Sequence, residues 1–412
     1  MRRNIKELSA SSWLLISGSV INRFGSFVVP FLVLYLRKRG FSISHAGLAV
    51  AAYGGGEVIA GPIGGMMADR LGRRATIALS TYSSAAAMVA LSQAHAFTLI
   101  VGLAFAAGLV SEARRPASLA LLTDYVPEGR RVTVFAVLRM GENVAFAGGM
   151  ALGGLIANSS FLWLFLGDAA SSVVYGTIAI TSLPEGRRAG REERAARDGY
   201  RSIGADPAFL LFLAGTVLVA FVYFQQQSTL PLHVRANGLS NADFGLLLAL
   251  NGALVVLFEL PLSAFTMRRP QRQMIAIGFL LVGIGFGLTG LAHSFLALAL
   301  TVTVWTFGEM VAAPVGYAYV ADIAPTHMRG RYQGLFGLCF GSGAIIGPAV
   351  GTFLYSRWET QFWAICAGLG LLAAVLTLGG RSSRTVVQGV DEMPERTALV
   401  AEVAPRPGPF PV

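Results

Sequence analysis

Acidic and basic side chains interrupt stretches of this chain that are otherwise apolar, and their types and spacing define the chemistry open to them. Glu309 stands in TVTVWTFGEMVAAP with no basic residue within two helical turns, and Glu57 in AAYGGGEVIAG is equally isolated. A carboxylic acid without a counter-charge in a medium of low dielectric favours its neutral form and exchanges its proton near neutral pH. Either residue is therefore a candidate proton carrier. Glu112 and Arg115 are three apart, as are Arg139 and Glu142. Each pair shares a helix face and is expected to neutralise itself. Glu112 and Glu142 stand both as coupling candidates and as members of a structural network. Asp168 beside Gly167, and Glu259 near Pro261, are expected to satisfy neighbouring backbone groups.

These charges must be held by elements that cross a membrane. Only 13% of the 412 residues are charged and 54% are hydrophobic, against about a quarter charged in a soluble domain. Apolar runs at 12–36, 45–68, 75–94, 97–122, 132–156, 161–183, 208–234, 241–266, 273–292, 295–322, 331–355 and 360–380 match the roughly 20 residues that a helix needs to cross a bilayer. Twelve spans are expected, in an all-α integral membrane protein, because the runs do not alternate as barrel strands do. A buried charge in such a span costs several kcal/mol and by default marks a pathway.

The net charge of +10 is not a nucleic-acid footprint, because most of it falls on alternate loops. Arg2, Arg3 and Lys6, Arg70, Arg73 and Arg74, Arg130 and Arg131, the 187–201 arginines, Arg268, Arg269 and Arg272, and Arg329 and Arg331 lie on one side. That bias places both termini in the cytoplasm of a bacterial-type inner membrane. Arg37, Lys38 and Arg39 run against it. Cys339 and Cys366 fall inside spans, the histidines are scattered, and no GxxxxGK[ST] phosphate cradle occurs. Neither a metal nor ATP is expected, and the isolated acids make a proton gradient the expected energy source.

A polar stretch at 184–207 divides six spans (1–183) from six (208–380), and a tail at 381–412 reads as disordered. The halves repeat at a constant offset of 198. Arg37, Gly40, Ser42 and Gly47 match Arg235, Gly238, Ser240 and Gly245, and Arg70 and Arg74 match Arg268 and Arg272. Pro116, Asp124, Pro127 and Arg131 match Pro314, Asp322, Pro325 and Arg329. Duplicated bundles with a site between them near mid-membrane are a transporter architecture.

The stretch GGMMADRLGRR, in the form Gly65-x-x-x-Asp69-Arg70-x-Gly72-Arg73-Arg74, resembles the signature of the major facilitator superfamily, and GAIIGPAVG at 343–351 resembles the glycine–proline signature of its proton-driven drug antiporters. The resemblance implies the major facilitator fold, two pseudo-symmetric six-helix bundles working by alternating access. It places Asp69 near the start of the eleventh span, where a helix dipole stabilises a carboxylate by roughly 0.3–1 kcal/mol. Asp69, with Arg70 and Arg74 pairing to Asp124, would form a latch between the halves, while Arg73 only anchors topology. It implies a cavity walled by Asn22, Arg23, Arg115, Arg139, Tyr223, Gln226 and Glu309. The expected function is proton-coupled export of small amphipathic or drug-like compounds by a monomer among membrane lipids. Uptake of a nutrient or peptide, and a lipid translocase, are the rival readings.

Overall fold

Serines at the head of the apolar runs start the helices. The computed structural model describes residues 8–127, 130–185, 206–325 and 328–379, and among them every regular element is helical. Helix α1 (Ala10–Gly25) begins at Ser9, which accepts from the Ser12 N–H at 3.2 Å. Ser42 caps α3 (Ile43–Leu71) the same way, and Ser240 with Asp243 forms a capping box on α10 (Asn241–Thr266). Each cap satisfies a backbone donor that lipid could not. Between and after them lie α2 (Val28–Lys38), α4 (Arg73–Gln93), α5 (Phe97–Tyr125), α6 (Arg131–Ser159), α7 (Phe161–Ser182), α8 (Pro207–Tyr223), α9 (Leu230–Ala236), α11 (Gln271–Thr289), α12 (Phe295–Ile323), α13 (Arg329–Arg357) and α14 (Glu359–Gly379). Most of the 184–207 stretch and the 381–412 tail lie outside the described residues.

The repeated residues build the same turn twice. Arg37 donates to the Phe41 carbonyl at 2.7 Å, and its counterpart Arg235 to the Leu239 carbonyl at 2.6 Å. Gly40 and Gly238 between them hold φ of 87° and 77°, a left-handed conformation that side-chain-bearing residues avoid. The Arg, Gly and Ser of each repeat are thus one clamp, one bend and one helix cap.

Eleven of the helical stretches are long and apolar enough to cross a membrane. The remaining predicted span, 132–156, is the 29-residue α6, whose composition is less apolar because Arg139, Glu142 and Asn143 sit on it. At 1.5 Å per residue it is about 43 Å long, as long as α5. Leucines such as Leu296 (70% exposed) and Leu300 (62% exposed) face outward, as suits a chain whose solvent is lipid. Two predicted spans are not continuous. The first breaks at Ser26–Phe27 between α1 and α2, and the seventh passes through a 3-10 turn, Phe224–Gln227, before α9. The breaks fall at positions 198 apart, next to Arg23 in one half and Tyr223 in the other. Interrupted helices at mid-span are how transporters present backbone and polar groups to a cavity.

The first set of helices meets the second along two seams, α3 against α13 and α6 against α10. At the end marked by Ser42 the seams are closed by backbone-to-backbone contact. A Cβ added at Gly47 would lie 2.5 Å from the Pro348 carbonyl oxygen, and one at Gly245 2.4 Å from that of Met150. Asn241 donates from its side chain to the Ala157 carbonyl at 3.1 Å, and its backbone N–H donates to the Asn158 side-chain oxygen at 3.1 Å. At the opposite end, marked by Arg73, a Cβ at Gly61, Gly330, Gly334 or Gly337 would meet nothing within 4 Å. The halves are in contact at one end and apart at the other.

Candidate functional site

The gap opens into a cavity of about 910 Å³ that runs from Gly330 and Arg331 inward to Glu112, Arg115, Glu57 and Arg23. Beyond it lies a smaller chamber of about 280 Å³, which shares Arg23, Glu57 and Phe224 and adds Arg139, Tyr223, Gln226, Asn251, Glu259 and Glu309. Most of the residues expected to wall the site are therefore brought together. Asn22 is not among them. It is buried, and its side chain donates to the Ser172 hydroxyl at 3.0 Å, tying α1 to α7. Glu142 is also set apart and accepts from the Ser19 hydroxyl at 2.8 Å.

Glu309 is held by two neutral donors. Tyr223 donates its hydroxyl to Oε1 at 3.0 Å, and Asn251 donates to Oε2 at 3.1 Å while also reaching the Thr306 hydroxyl at 3.0 Å. Among the described residues no basic side chain lies within ion-pair distance of Glu309. Tyr223 is fixed by the break at Phe224 and stands edge-on to the fully buried Trp305. Glu57 has no hydrogen bond or ion pair among the described residues. Arg23 likewise has no acidic partner among them, and its guanidinium lies 5.0 Å from the centre of the Phe146 ring. Both face the junction of the two cavities.

The two expected charge pairs part company. Glu112 and Arg115 do meet, at 3.7 Å, and Arg114 approaches the same carboxylate at 4.0 Å. Arg139 does not pair with Glu142. It reaches across the seam and donates to Glu259 on α10, so the pair joins the two halves and does not neutralise one helix. Spacing along a helix favours a local partner only where no acid of the facing helix stands opposite. Glu259 is no backbone cap for Pro261, and it is a cavity residue that its neighbouring proline concealed. Asn251 was missed because it carries no charge. Its signal is an amide inside the apolar run LLLALNGALVV, at the position that repeats Tyr53.

The turn at the Arg73 end also corrects the expected pairing. Arg73 forms the ion pair with Asp124 and donates to the Ala120 carbonyl at 2.9 Å. Arg74 points instead to α7, at 3.4 Å from the Leu183 carbonyl and 3.8 Å from Glu185. Arg70 and Asp69 are exposed, with no ion pair among the described residues. The repeat explains the arrangement. Gln271, the counterpart of Arg73, donates to Asp322 at 2.6 Å, and Arg272, the counterpart of Arg74, donates to the Thr377 carbonyl at 2.7 Å. One position of each turn binds the aspartate of the fourth span and the other caps the end of the sixth.

Comparison with known proteins agrees with this architecture. The profile of the Major Facilitator Superfamily matches residues 15–240 and 227–401. An uncharacterised MFS-type transporter of Bacillus subtilis, YqjV, is 28% identical over 84% of this chain and 86% of its own. A Na(+), Li(+), K(+)/H(+) antiporter of Planococcus maritimus is 25% identical over 78% of this chain and 84% of its own. The multidrug resistance protein MdtH of Aeromonas hydrophila is 24% identical over 89% and 93%. Among solved structures, that of the nucleoside transporter NupG superposes with a TM-score of 0.80 over 89% of this chain and 98% of its own, at 15% identity. A membrane-embedded helical chain with a charged cavity between two matched sets of helices, covered over most of its length by this family, belongs to the major facilitator superfamily and is a transporter, not an enzyme.

Proposed function

We propose that this transporter exchanges protons for small amphipathic, drug-like compounds and exports them, with Glu309 as the carboxylate that carries the proton. The observation that carries the reading is the setting of Glu309. It faces the cavity, receives only neutral hydrogen bonds and has no described basic partner. Such an acid can be neutral with a proton bound or charged against a cationic substrate, and those two states exclude one another. That mutual exclusion is the coupling an antiporter needs. The antiporter and the multidrug resistance protein among the relatives support the class of reaction. The excess of arginine at the Arg73 end supports a cytoplasmic placement for that end and for both termini. On that placement the halves stand open to the cytoplasm.

Alternating access then requires the Arg73 end to close. Asp69 would come against the N-terminus of α13, where exposed N–H groups and the helix dipole favour a carboxylate. Asp69→Asn is expected to deplete the population closed at this end. Label-to-label distances between the inner ends of α3 and α13 would lose their short component, and an unchanged distribution would remove the latch.

A second reading, uptake of a nutrient or peptide, draws on Arg23, an exposed cation in the cavity without a described acidic partner. Everted vesicles distinguish the two. Under export, a compound panel accumulates inside them when a proton gradient, acid inside, is applied. Failure of every compound to accumulate, with gradient-dependent uptake in right-side-out vesicles, would reverse the direction.

A further inference from the structure

We infer that the C-terminal half contains a second, apolar chamber that takes the ring-bearing part of a transported amphiphile, with the Tyr223–Glu309 contact as its door. This deepens the export reading and rests on it. The chamber measures about 220 Å³ and is walled by Phe212, Phe279, Tyr317, Phe336 and Phe340. It shares Tyr223, Glu309 and Ala313 with the central cavity. Its walls lie within one half, between α8, α11, α12 and α13, so it is not a seam between moving parts.

The internal repeat shows why there is space here. In the N-terminal half the corresponding volume is filled by Tyr175, which is fully buried. Its hydroxyl is 2.8 Å from the Ser118 hydroxyl, Arg114 lies 5.8 Å from its ring centre, and a Cβ at Gly18 would be 2.2 Å from the ring. At an offset of 198 these four residues become Ala373, Gly316, Ala312 and Thr216. Three of the four, Gly316, Ala312 and Thr216, line the chamber. The tyrosine that would fill it has become alanine, and the serine and arginine that would hold that tyrosine have been lost with it. Glu142 of the N-terminal half is likewise replaced by Phe340, a chamber wall. One half keeps its charges and fills this space, while the other lines the same space with rings and leaves it open.

The occupant follows from size and chemistry. An apolar cavity of about 150 Å³ holds a benzene ring, so about 220 Å³ holds a ring with substituents or a small fused system. The walls present ring faces and edges, with Phe212 stacked on Phe336 at 5.5 Å and Tyr317 edge-on to Phe336 at 5.1 Å. They suit an aromatic body, and the one carboxylate at the mouth suits a cationic group attached to it. The Thr216 hydroxyl on the chamber wall is already donated to the Phe212 carbonyl at 2.9 Å, so it solicits no polar body.

The test is binding of ethidium, a cationic fused-ring dye, to the purified full-length transporter with no gradient applied. Ethidium is expected to bind the wild-type protein, and two filling substitutions should weaken it about tenfold or more by excluding ring-sized apolar contact. Gly316→Leu adds bulk where a Cβ would meet only Phe336, at 3.4 Å, and Ala373→Tyr restores the residue of the other half. If Ala373→Tyr fails to fold, Gly316→Leu decides alone. Undiminished binding by a folded filled variant, or no binding by the wild type, overturns the chamber. A protein that binds ethidium through the chamber yet shows no proton-driven transport overturns the exchange reaction and leaves the chamber standing.

Discussion

Gradient-driven accumulation is expected to vanish in Glu309→Gln, while exchange of labelled for unlabelled substrate across vesicles without a gradient continues. The substitution keeps the shape of the side chain and an oxygen to accept from Tyr223 or Asn251, and it removes the site that takes and gives a proton. Losing one neutral hydrogen bond costs about 1 kcal/mol, too little to unfold the protein. The carrier is then locked in a state resembling the protonated one. Substrate still crosses down its own gradient, and protons no longer drive it uphill. Cationic substrates should bind more weakly than neutral ones, because only they use the charge. Full gradient-driven transport by the variant would shift the role to Glu57, the other cavity acid with no ion pair among the described residues.

The second large effect is expected at Arg139 and Glu259. The arginine side chain is 61% exposed and the glutamate 14%, so removing Arg139 leaves a mostly covered carboxylate without its counter-charge. Breaking a fully buried pair costs about 3–5 kcal/mol; exposure of the arginine reduces that to about 1–2 kcal/mol here. Arg139→Ala and Glu259→Gln should each lower the melting temperature in detergent, and the double change should lower it by less than the two losses summed. Because the pair bridges the α6–α10 seam, each single change should also raise the accessibility of a thiol probe placed at Met140, which lines a pocket along that seam. Additive losses with unchanged accessibility would mean that the two side chains do not hold the halves together.

Much of this was legible in the residues and some was not, for physical reasons. Length and apolar periodicity located the spans because a bilayer imposes one length on every helix, and the 198-residue repeat located the matching turns because the same clamp, bend and cap recur. The breaks in the first and seventh spans were not legible. Pro30, four residues beyond Ser26, removes the N–H that would bond the Ser26 carbonyl and so accompanies the first break. A proline within an apolar run also occurs in unbroken helices such as α3 and α5, however, and Gly25 alone does not distinguish a bend from close packing. Partners across the seam were hidden as well. Helix spacing pointed Arg139 to Glu142 and the resemblance paired Arg74 with Asp124, whereas the facing helix offers Glu259 to the one, and the neighbouring Arg73 takes the aspartate from the other. Gln271, standing where the repeat has Arg73, keeps a donor to the aspartate at that position. The polar wall was found where it is charged and missed where it is an amide, as at Asn251.

The exchange of one proton site between substrate and solvent is the heart of the account, and proton release from the purified protein measures it directly. Detergent-solubilised transporter in weak buffer with a pH-sensitive dye should release protons when a cationic substrate such as ethidium is added. Glu309→Gln, still binding the dye at higher concentration, should release none. Proton release from that variant equal to wild type, or none from wild type at a saturating concentration, would contradict the assignment of Glu309 as the carrier.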